Sequence, residues 1–174
     1  MCKYEYVVIS EALKDKYCII KAEPDNYMHL IGINSLLSAQ DFYNKCIDKS
    51  LTENDFDFKK KDQSEKSVKG TVRKKISVLP HFCNMFYYTD LKCQQDVWKG
   101  NVICSFASAS DIFTIGFVDT GRPKTLMKNN QLDNDSSGSI IAVLIKSKGT
   151  NEFKEIVLGN TDGYKYIISK LNSK

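Results

Sequence analysis

The stretch NVICSFASASDIFTIGFV, residues 101–118, decides the fold class of the chain. Apolar and polar residues alternate in both of its halves, and a period of two is typical of a β-strand. Between the halves, residues 108–111 supply a short polar turn. We therefore predict strands at residues 101–107 and 112–118 that pair as an antiparallel hairpin.

The sequence beyond this hairpin predicts a loop followed by a second hairpin. Residues 121–137 include Pro123 and a polar run at 129–135, so we predict a long exposed loop, the kind of segment that often carries function. The remaining predictions on this side are strands at residues 139–145 and 153–158, joined through 148–151, and a final helix or strand at 163–171.

Upstream of the hairpin the apolar period changes to that of a helix. Between residues 65 and 86 the apolar side chains recur at intervals of three or four, as in an amphipathic helix. Pro80 should kink this helix or end it early. The members of the apolar stripe are Val68, Val72, Ile76, Leu79, Cys83 and Phe86.

A capped helix is predicted over residues 38–48. The Ser38 hydroxyl can accept a hydrogen bond from an amide of the first turn, and Asp41 lies near the positive end of the helix dipole. The other predicted elements are a further capped turn at residues 52–55, a loop at 59–64, a short helix at 4–13 and a strand at 17–20.

Helices followed by antiparallel strands indicate an α+β fold. With 174 residues, 42% of them hydrophobic, the chain fits one domain with one core. Its longest apolar run, residues 140–145, is far shorter than the roughly 20 residues that cross a bilayer. The first residues carry both charge signs and lack a signal-peptide segment. We expect a cytoplasmic protein that does not span a membrane.

Basic residues concentrate in one segment. Residues 59–75 contain eight Lys and Arg against Asp62 and Glu65, so this segment carries +6 while the whole chain carries +4. Such an asymmetry predicts an anionic partner, and nucleic acid is the first candidate.

The helix predicted at residues 65–86 places these cations on different sides. At roughly 100° per residue, Lys66, Lys69 and Arg73 lie on one flank, where they either face solvent or contact a nucleic-acid backbone. Lys75 falls at the edge of the apolar stripe, so we expect it to be partly buried. In the simplest case its stem is buried and its amine reaches water.

No familiar catalytic or cofactor motif occurs in the chain. It lacks the phosphate loops G-x-x-x-x-G-K-[ST] and G-x-G-x-x-G, and also H-E-x-x-H and G-x-S-x-G. Its six cysteines include no C-x-x-C pair, and we interpret them as reduced core thiols. We therefore expect neither a metal nor a cofactor. The nearest approach to a zinc-ligand cluster consists of His81, Cys83, Cys93 and Cys104.

Two histidines, His29 and His81, are available for acid–base chemistry near neutral pH. His29 lies in YMHLIG, residues 27–32, next to a glycine at an element boundary, where its ring could reach a ligand. The alternative is a structural histidine whose ring nitrogens bond to backbone carbonyls. His81 directly follows Pro80, and we interpret it as a structural or surface residue.

A basic turn at residues 120–128 is a second candidate site. It combines the fixed backbone of Pro123, the hydroxyl of Thr125 and cationic side chains, which together suit the oxygens of a phosphodiester. The alternative is a solvated turn with basic side chains. The cations are Arg122, Lys124 and Lys128.

In their order along the chain, these motifs resemble a phage-associated family in the barnase, EndoU, colicin and RelE-like (BECR) group of nucleases. The resemblance covers about residues 27–128. Residues 1–26 then form an N-terminal extension, and residues 129–174 form the C-terminal hairpin and last element of the same single domain, 1–174. The motifs are YMHLIGI, SAQDFY, Asp55-Phe56, the basic helix, IGF at 115–117 and PKTLMK at 123–128.

The resemblance implies N-terminal helices packed on a four-stranded or larger antiparallel sheet, and cleavage of RNA without a metal. In such cleavage a base removes the proton of a 2′-hydroxyl, the oxygen attacks phosphorus, an acid protonates the leaving oxygen, and cations stabilise the charge. His29 would be the base or the acid. The implied catalytic residues are His29, Lys75, Arg122 and Thr125, and the implied nucleic-acid-binding residues are Lys66, Lys69, Arg73, Lys74, Lys124 and Lys128.

The first hypothesis is therefore a ribonuclease-like protein, encoded by a phage or mobile element, that acts on RNA. A second is a catalytically inactive relative that binds a host protein or nucleic acid, for instance as an inhibitor of an antiviral defence system. Ile31 favours this second hypothesis, because the family pattern has threonine at that position. A third is a toxin whose basic face is covered by an antitoxin.

Overall fold

The structure is a computed structural model that describes residues 3–150 and 152–173. Two short 3-10 turns, Glu53–Asp55 and Met85–Tyr87, separate some of its elements. In chain order the elements are β1 (Tyr4–Ile9), β2 (Tyr17–Lys21), α1 (Asn26–Ile31), β3 (Asn34–Ser35), α2 (Ala39–Ile47), β4 (Phe56–Asp57), α3 (Glu65–Cys83), β5 (Lys92–Lys99), β6 (Val102–Ala109), β7 (Phe113–Phe117), β8 (Pro123–Lys128), β9 (Gly138–Ser139), β10 (Ala142–Ser147), β11 (Glu155–Gly159) and α4 (Lys165–Asn172).

β1 takes the place of the helix predicted at residues 4–13, and that prediction is wrong. Val7, Val8 and Ile9 are β-branched, which favours extended backbone. Successive side chains of a strand point to opposite faces, and here Val7 and Ile9 enter one apolar cluster while Val8 enters another. The strand is therefore buried on both faces, which a short amphipathic helix would not achieve.

The first sheet has the order β11-β10-β1-β2, and every neighbouring pair is antiparallel. β10 and β1 are the two central strands, and Tyr4 at the start of β1 lies opposite Ser147 at the end of β10. The strand predicted at residues 17–20 and the second predicted hairpin are confirmed in β2, β10 and β11. Asn151, in the predicted connection of that hairpin, lies outside the described residues. The last predicted element is a helix, α4, which packs on β1 and β10.

The second sheet has the order β8-β7-β6-β5-β9 and is also antiparallel. The hairpin that decided the fold class is confirmed as β6 and β7, with Phe106 opposite Phe117. The loop predicted at residues 121–137 is wrong for β8, which pairs with β7 and buries Leu126. Pro123 concealed this strand, but proline is tolerated at the first residue of an edge strand.

The rest of that predicted loop, residues 129–137, is irregular but docked on the second sheet. The Thr114 hydroxyl donates to the Asn129 carbonyl at 2.9 Å and accepts from the Gln131 amide at 2.8 Å. Leu132 is buried in a cluster with Val97. This segment therefore covers one face of the sheet, although residues within it remain exposed.

The capped helix predicted at residues 38–48 is confirmed as α2. The Asp41 amide donates to the Ser38 hydroxyl at 3.1 Å. The further turn predicted at residues 52–55 is present too, with Thr52 and Asp55 bonded to each other in a capping box. Both elements were predictable because the signals that start a helix are local.

α3 ends at Cys83, so it is shorter than the helix predicted to reach residue 86. Pro80 lies inside α3 without ending it, since the buried Val78 and Phe82 hold the last turn against the core. The apolar stripe is also rotated relative to the prediction. Ile76 is 50% exposed and Val78 is buried instead.

The α+β class and the antiparallel sheets are confirmed, whereas the predicted order of helices before strands is wrong. β1 and β2 precede the first three helices, and the first sheet is completed by strands from the end of the chain. α1 and α3 pack against β8 of the second sheet. Among the described residues, the helices are too short or too polar to cross a membrane.

Candidate functional site

A cleft of about 530 Å³ opens between the middle of α3 and the C-terminal end of β8. α3 lies beside β8 because its buried Val78 and Phe82 share an apolar cluster with Leu126. Beside that contact, polar side chains of both elements line the cleft together with two apolar residues of β8. The lining residues are Thr71, Lys74, Lys75, Leu126, Met127, Lys128, Asn129 and Gln131.

Three lysines from two elements meet in this cleft, which we call the lysine cleft. Lys74 and Lys75 come from α3, and Lys128 comes from β8, where it lies opposite Phe113 of β7. No ion pair between described residues involves any of the three. Cations that share a concave surface without acidic partners attract anions.

Lys75 leaves α3 from the middle of the apolar stripe. Val72 and Val78, three residues away on either side, are buried, and Lys75 itself is half-buried. The prediction of partial burial is confirmed, but the residue lies deeper in the stripe than at its edge. Gly32, at the end of α1, faces it: a Cβ built on Gly32 would lie 3.2 Å from Lys75 Nζ.

Burial lowers the pKa of Lys75 from the ordinary 10.5 to about 8, because the charged amine loses water. The positive charge of Lys60 adds to this effect. An amine with such a pKa is partly neutral near physiological pH. It can therefore accept a proton as well as attract an anion.

His29 lies on α1 and is exposed. It stands three residues before Gly32 and thus on the same side of the helix. Among the described residues its ring forms no hydrogen bond, so the alternative of a structural role through backbone carbonyls gains no support here. His29 does not line the lysine cleft. His81, by contrast, bonds to the Tyr88 hydroxyl at 2.6 Å, in line with a structural role.

Most of the phosphate-binding residues predicted in segment 120–128 lie outside the cleft. Arg122 forms an ion pair with Asp25 at the start of α1, and its Nε is buried with no partner among the described groups. Thr125 is buried on β8 opposite Gly116. Lys124 is exposed and donates to a backbone carbonyl of β6 at 2.7 Å. Of the cations of this segment, only Lys128 reaches the cleft.

The basic flank of α3 is separate from the lysine cleft. Around the helix axis, Lys69 lies roughly 140° from Lys74. Lys69 is also engaged, with Glu65 at 2.6 Å and with the ring of Phe58 at 5.0 Å. Lys66 and Arg73 are exposed on the same flank and form no ion pair with the described residues.

The sequence as a whole is similar to a known protein family. The sequence model of a family described as phage-Barnase-EndoU-ColicinE5/D-RelE like nuclease, PBECR4, matches residues 1–173. The chain belongs to the PBECR4 family. The resemblance inferred from residues 27–128 is confirmed, and the PBECR4 match extends over both ends of the chain. No curated protein and no solved structure gives a significant match. PBECR4 membership indicates a nuclease-like function with nucleic acid as the substrate class.

Several residues of this PBECR4 cleft were not predicted. Asn129 and Gln131 follow β8 in a polar run that carried a signal only for a loop, and Asn129 adopts the left-handed conformation that asparagine tolerates. Nothing in the sequence around Thr71 indicated a site residue, because Thr71 lines the cleft only as a result of the packing of α3 on β8. Gly32, which contacts Lys75 without lining the cleft, was noted in the sequence only as a neighbour of His29.

Metal-ligating side chains are not grouped in the described part of this PBECR4 protein. No cluster of three or more histidine, cysteine or acidic residues there could hold a metal ion. Burial raises the pKa of the Cys93 thiol to about 11 and also raises the pKa of Cys104, so both are protonated core thiols. Cys83 is exposed, which corrects the interpretation of all six cysteines as core residues, and Cys2 lies outside the described residues.

Proposed function

We propose that this protein is a ribonuclease-like protein that works without a metal ion and binds the phosphates of RNA in the lysine cleft. We further propose that a phage or mobile element encodes it and that it acts in the cytoplasm. The observation that carries the proposal is the meeting of Lys74, Lys75 and Lys128, none of them ion-paired among the described residues, in a chain of a nuclease family.

Phosphate binding follows from the charges of the cleft. The ammonium groups of Lys74 and Lys128 can donate charge-assisted hydrogen bonds to two phosphate oxygens. The hydroxyl of Thr71 lines the same space and adds a neutral donor. Because these side chains come from two elements, the phosphate would lie across the junction of α3 and β8.

The cleft supports cleavage by internal transesterification. The neutral amine of Lys75 accepts the proton of a 2′-hydroxyl while the oxygen forms a bond to phosphorus. The bond from phosphorus to the 5′ oxygen breaks, and that oxygen receives a proton from an acid. His29 does not line the cleft, but we propose it as this acid because it stands on the side of α1 that carries Gly32, the glycine in contact with Lys75. The products are a 2′,3′-cyclic phosphate and a 5′-hydroxyl, and Lys74 and Lys128 stabilise the added charge in the transition state.

The other predicted site residues stay predictions. Arg122 and Thr125 have structural contacts that keep them outside the cleft, so their catalytic roles gain no support. Lys66 and Arg73 are free to contact a nucleic-acid backbone along the opposite flank of α3. Lys69 and Lys124 would have to leave their present partners to do so.

Incubation of the purified protein with single-stranded RNA in excess chelator tests the proposal. We expect fragments that end in a cyclic phosphate, a loss of about 100-fold or more in Lys75→Ala, and a smaller loss in His29→Ala. Lys165→Ala, which removes an exposed lysine of α4, is the matched control. Cleavage that persists unchanged in Lys75→Ala overturns the role of the cleft, and cleavage abolished by chelator overturns metal independence.

A second function, binding without cleavage, is favoured by one observation. Ile31 is buried directly after Leu30, so no hydroxyl stands where the family pattern carries threonine. An inactive relative would use the same basic surfaces to bind a host protein or nucleic acid, for example to inhibit an antiviral defence system. RNA that stays intact in every sample but is retained in a complex supports this function. Growth arrest on expression, relieved by a partner protein, would support the toxin hypothesis instead.

A further inference from the structure

Gly32 ends α1 against the side chain of Lys75. The three atoms nearest to a Cβ built on Gly32 all belong to Lys75: Nζ at 3.2 Å, Cδ at 3.3 Å and Cε at 3.5 Å. Any other residue at position 32 would therefore press its Cβ against the lysine stem, which would have to give way by a few tenths of an ångström. Apart from the chain neighbours of Gly32 and the backbone of α1, no other group of the described residues comes as close to that position.

The backbone on the Gly32 side of this contact is fixed. Gly32 adopts a left-handed conformation with φ of 74°, and its amide donates to the Met28 carbonyl at 3.1 Å. The preceding Leu30 and Ile31 are buried, which anchors α1 against its neighbours. A side chain added at Gly32 would therefore displace Lys75 rather than α1.

On the other side of the contact, Lys75 is flanked by buried residues of α3. Its stem leaves α3 between the buried Val72 and Val78, and the side chain lines the cleft. The cationic groups placed around it are Lys60 from the segment before α3, Lys74 from α3 itself and Lys128 from β8, while His29 stands on α1.

We propose that Gly32 is a positioning residue for Lys75: its missing side chain provides the slot that holds the lysine stem and fixes its amine in the cleft. The consequence for RNA cleavage rests on the proposed function, but the contact itself does not. A proton acceptor works only within hydrogen-bond reach of the proton that it removes. A filled slot should thus lower kcat and leave KM, which the other lysines govern, nearly unchanged.

The first experiment follows the titration of the Lys75 amine by NMR in protein with isotope-labelled lysine, the signal being assigned by its absence in Lys75→Arg. In Gly32→Ala the midpoint should move up towards the ordinary lysine value, because the displaced amine regains water. Gly163→Ala is the matched control, since Gly163 has a φ of 86° and open space around it. It imposes the same backbone strain without touching Lys75.

The second experiment is a double-mutant cycle on stability. Gly32→Ala should lower the free energy of unfolding more than Gly163→Ala does. This additional loss should vanish in a Lys75→Ala background, where no lysine stem occupies the slot. If Gly32→Ala fails to fold, Gly32→Asn replaces it, because asparagine tolerates the left-handed conformation and still carries a Cβ.

The outcomes separate this proposal from the proposed function. A Lys75 midpoint that stays unchanged or falls in a folded Gly32 variant, or an excess cost that persists without Lys75, overturns the positioning role. Both measurements are independent of RNA cleavage. RNA left intact by the unsubstituted protein would overturn the nuclease proposal alone, whereas an unshifted midpoint would overturn the positioning role alone.

Discussion

Lys75 occupies a position of α3 that an apolar side chain would fill at lower free energy. The buried Val72 and Val78 flank it, and the loss of water around its charged form lowers its pKa to about 8. The nearby charge of Lys60 opposes the ammonium form further. We therefore expect stability and activity to oppose each other at this residue.

Replacement of Lys75 by methionine should stabilise the fold near neutral pH by about 1–2 kcal/mol. This free energy is smaller than the full pKa shift corresponds to, because water reaches part of the side chain and screens its charge. The substitution removes the cost of burying a charge and keeps an unbranched stem. Lys165→Met, at an exposed position of α4, should have a much smaller effect.

The stability gained in Lys75→Met should decrease as the pH rises. The folded-state pKa is about 8 against 10.5 for the ordinary side chain, so between these values the unfolded chain binds more protons than the folded one. The cost of Lys75 is therefore full below pH 8 and is relieved as the pH rises towards 10.5. Urea unfolding of the unsubstituted protein and of Lys75→Met between pH 8 and pH 10.5 measures this dependence. If the stability gained in Lys75→Met does not shrink as the pH rises, the lowered pKa of Lys75 is contradicted.

At the scale of the elements, the turn between β7 and β8 joins the two sheets. Gly121 in this turn has a φ of 80°, and its carbonyl accepts a hydrogen bond from the Lys21 amide of β2 at 3.0 Å. A Cβ on Gly121 would overlap the carbonyl oxygen of Ile19. The close approach of these two backbones therefore requires glycine.

Gly121→Ala should destabilise the protein by about 3 kcal/mol or more, because it adds a backbone clash to the strain of a positive φ. Gly100→Ala is the control: its φ is 58° and the space around it is open, so a cost of about 1 kcal/mol is expected. Chemical denaturation compares the two. Equal costs would show that the contact with β2 contributes nothing.

The elements differ in how far the sequence could predict them. α2 was predictable because its start signal, Ser38 with Asp41, acts within one turn. β8 was not, because Pro123 and the polar run at residues 129–135 are typical of a loop, and only pairing with β7 makes residues 123–128 a strand. β1 was mispredicted for a similar reason, since its burial on both faces depends on clusters formed with distant residues.

At the scale of the whole molecule, the charge is distributed so that two cationic surfaces lie on different sides of α3. One is the lysine cleft, and the other is the flank that carries Lys66 and Arg73. A strand of RNA held by both would contact several phosphates at once, and each contact releases counterions.

RNA affinity should therefore fall steeply with salt, with a slope of about 0.7 in log–log units for each phosphate contacted by single-stranded RNA. Lys128→Ala should reduce the slope by about that amount and weaken binding similarly for all sequences. Lys165→Ala should leave it unchanged. Fluorescence anisotropy across a salt series provides the measurement, and a flat response would contradict phosphate contact.

The candidate site was predictable in part. The charge excess of residues 59–75 and the family resemblance identified Lys74, Lys75 and Lys128. Nothing local showed that residues so far apart in sequence would share one cleft, or that Arg122 would be held by Asp25. These arrangements arise from packing between elements, and sequence periodicity does not report them. The division of residues 1–174 into a single domain with terminal extensions stays a prediction.

During synthesis, β1 can pair with β2 early, but its other edge must wait until β10 has left the ribosome, since Tyr4 pairs with Ser147. At ordinary translation speeds this takes roughly 10–30 s, during which the apolar face of β1 is open to chaperones. Val8 and Val143 belong to the same cluster as Val78 beneath the cleft, so the core under the cleft is complete only after β10 has emerged. Nascent chains arrested before residue 142 should accordingly be cut rapidly by protease, and chains released at full length should resist.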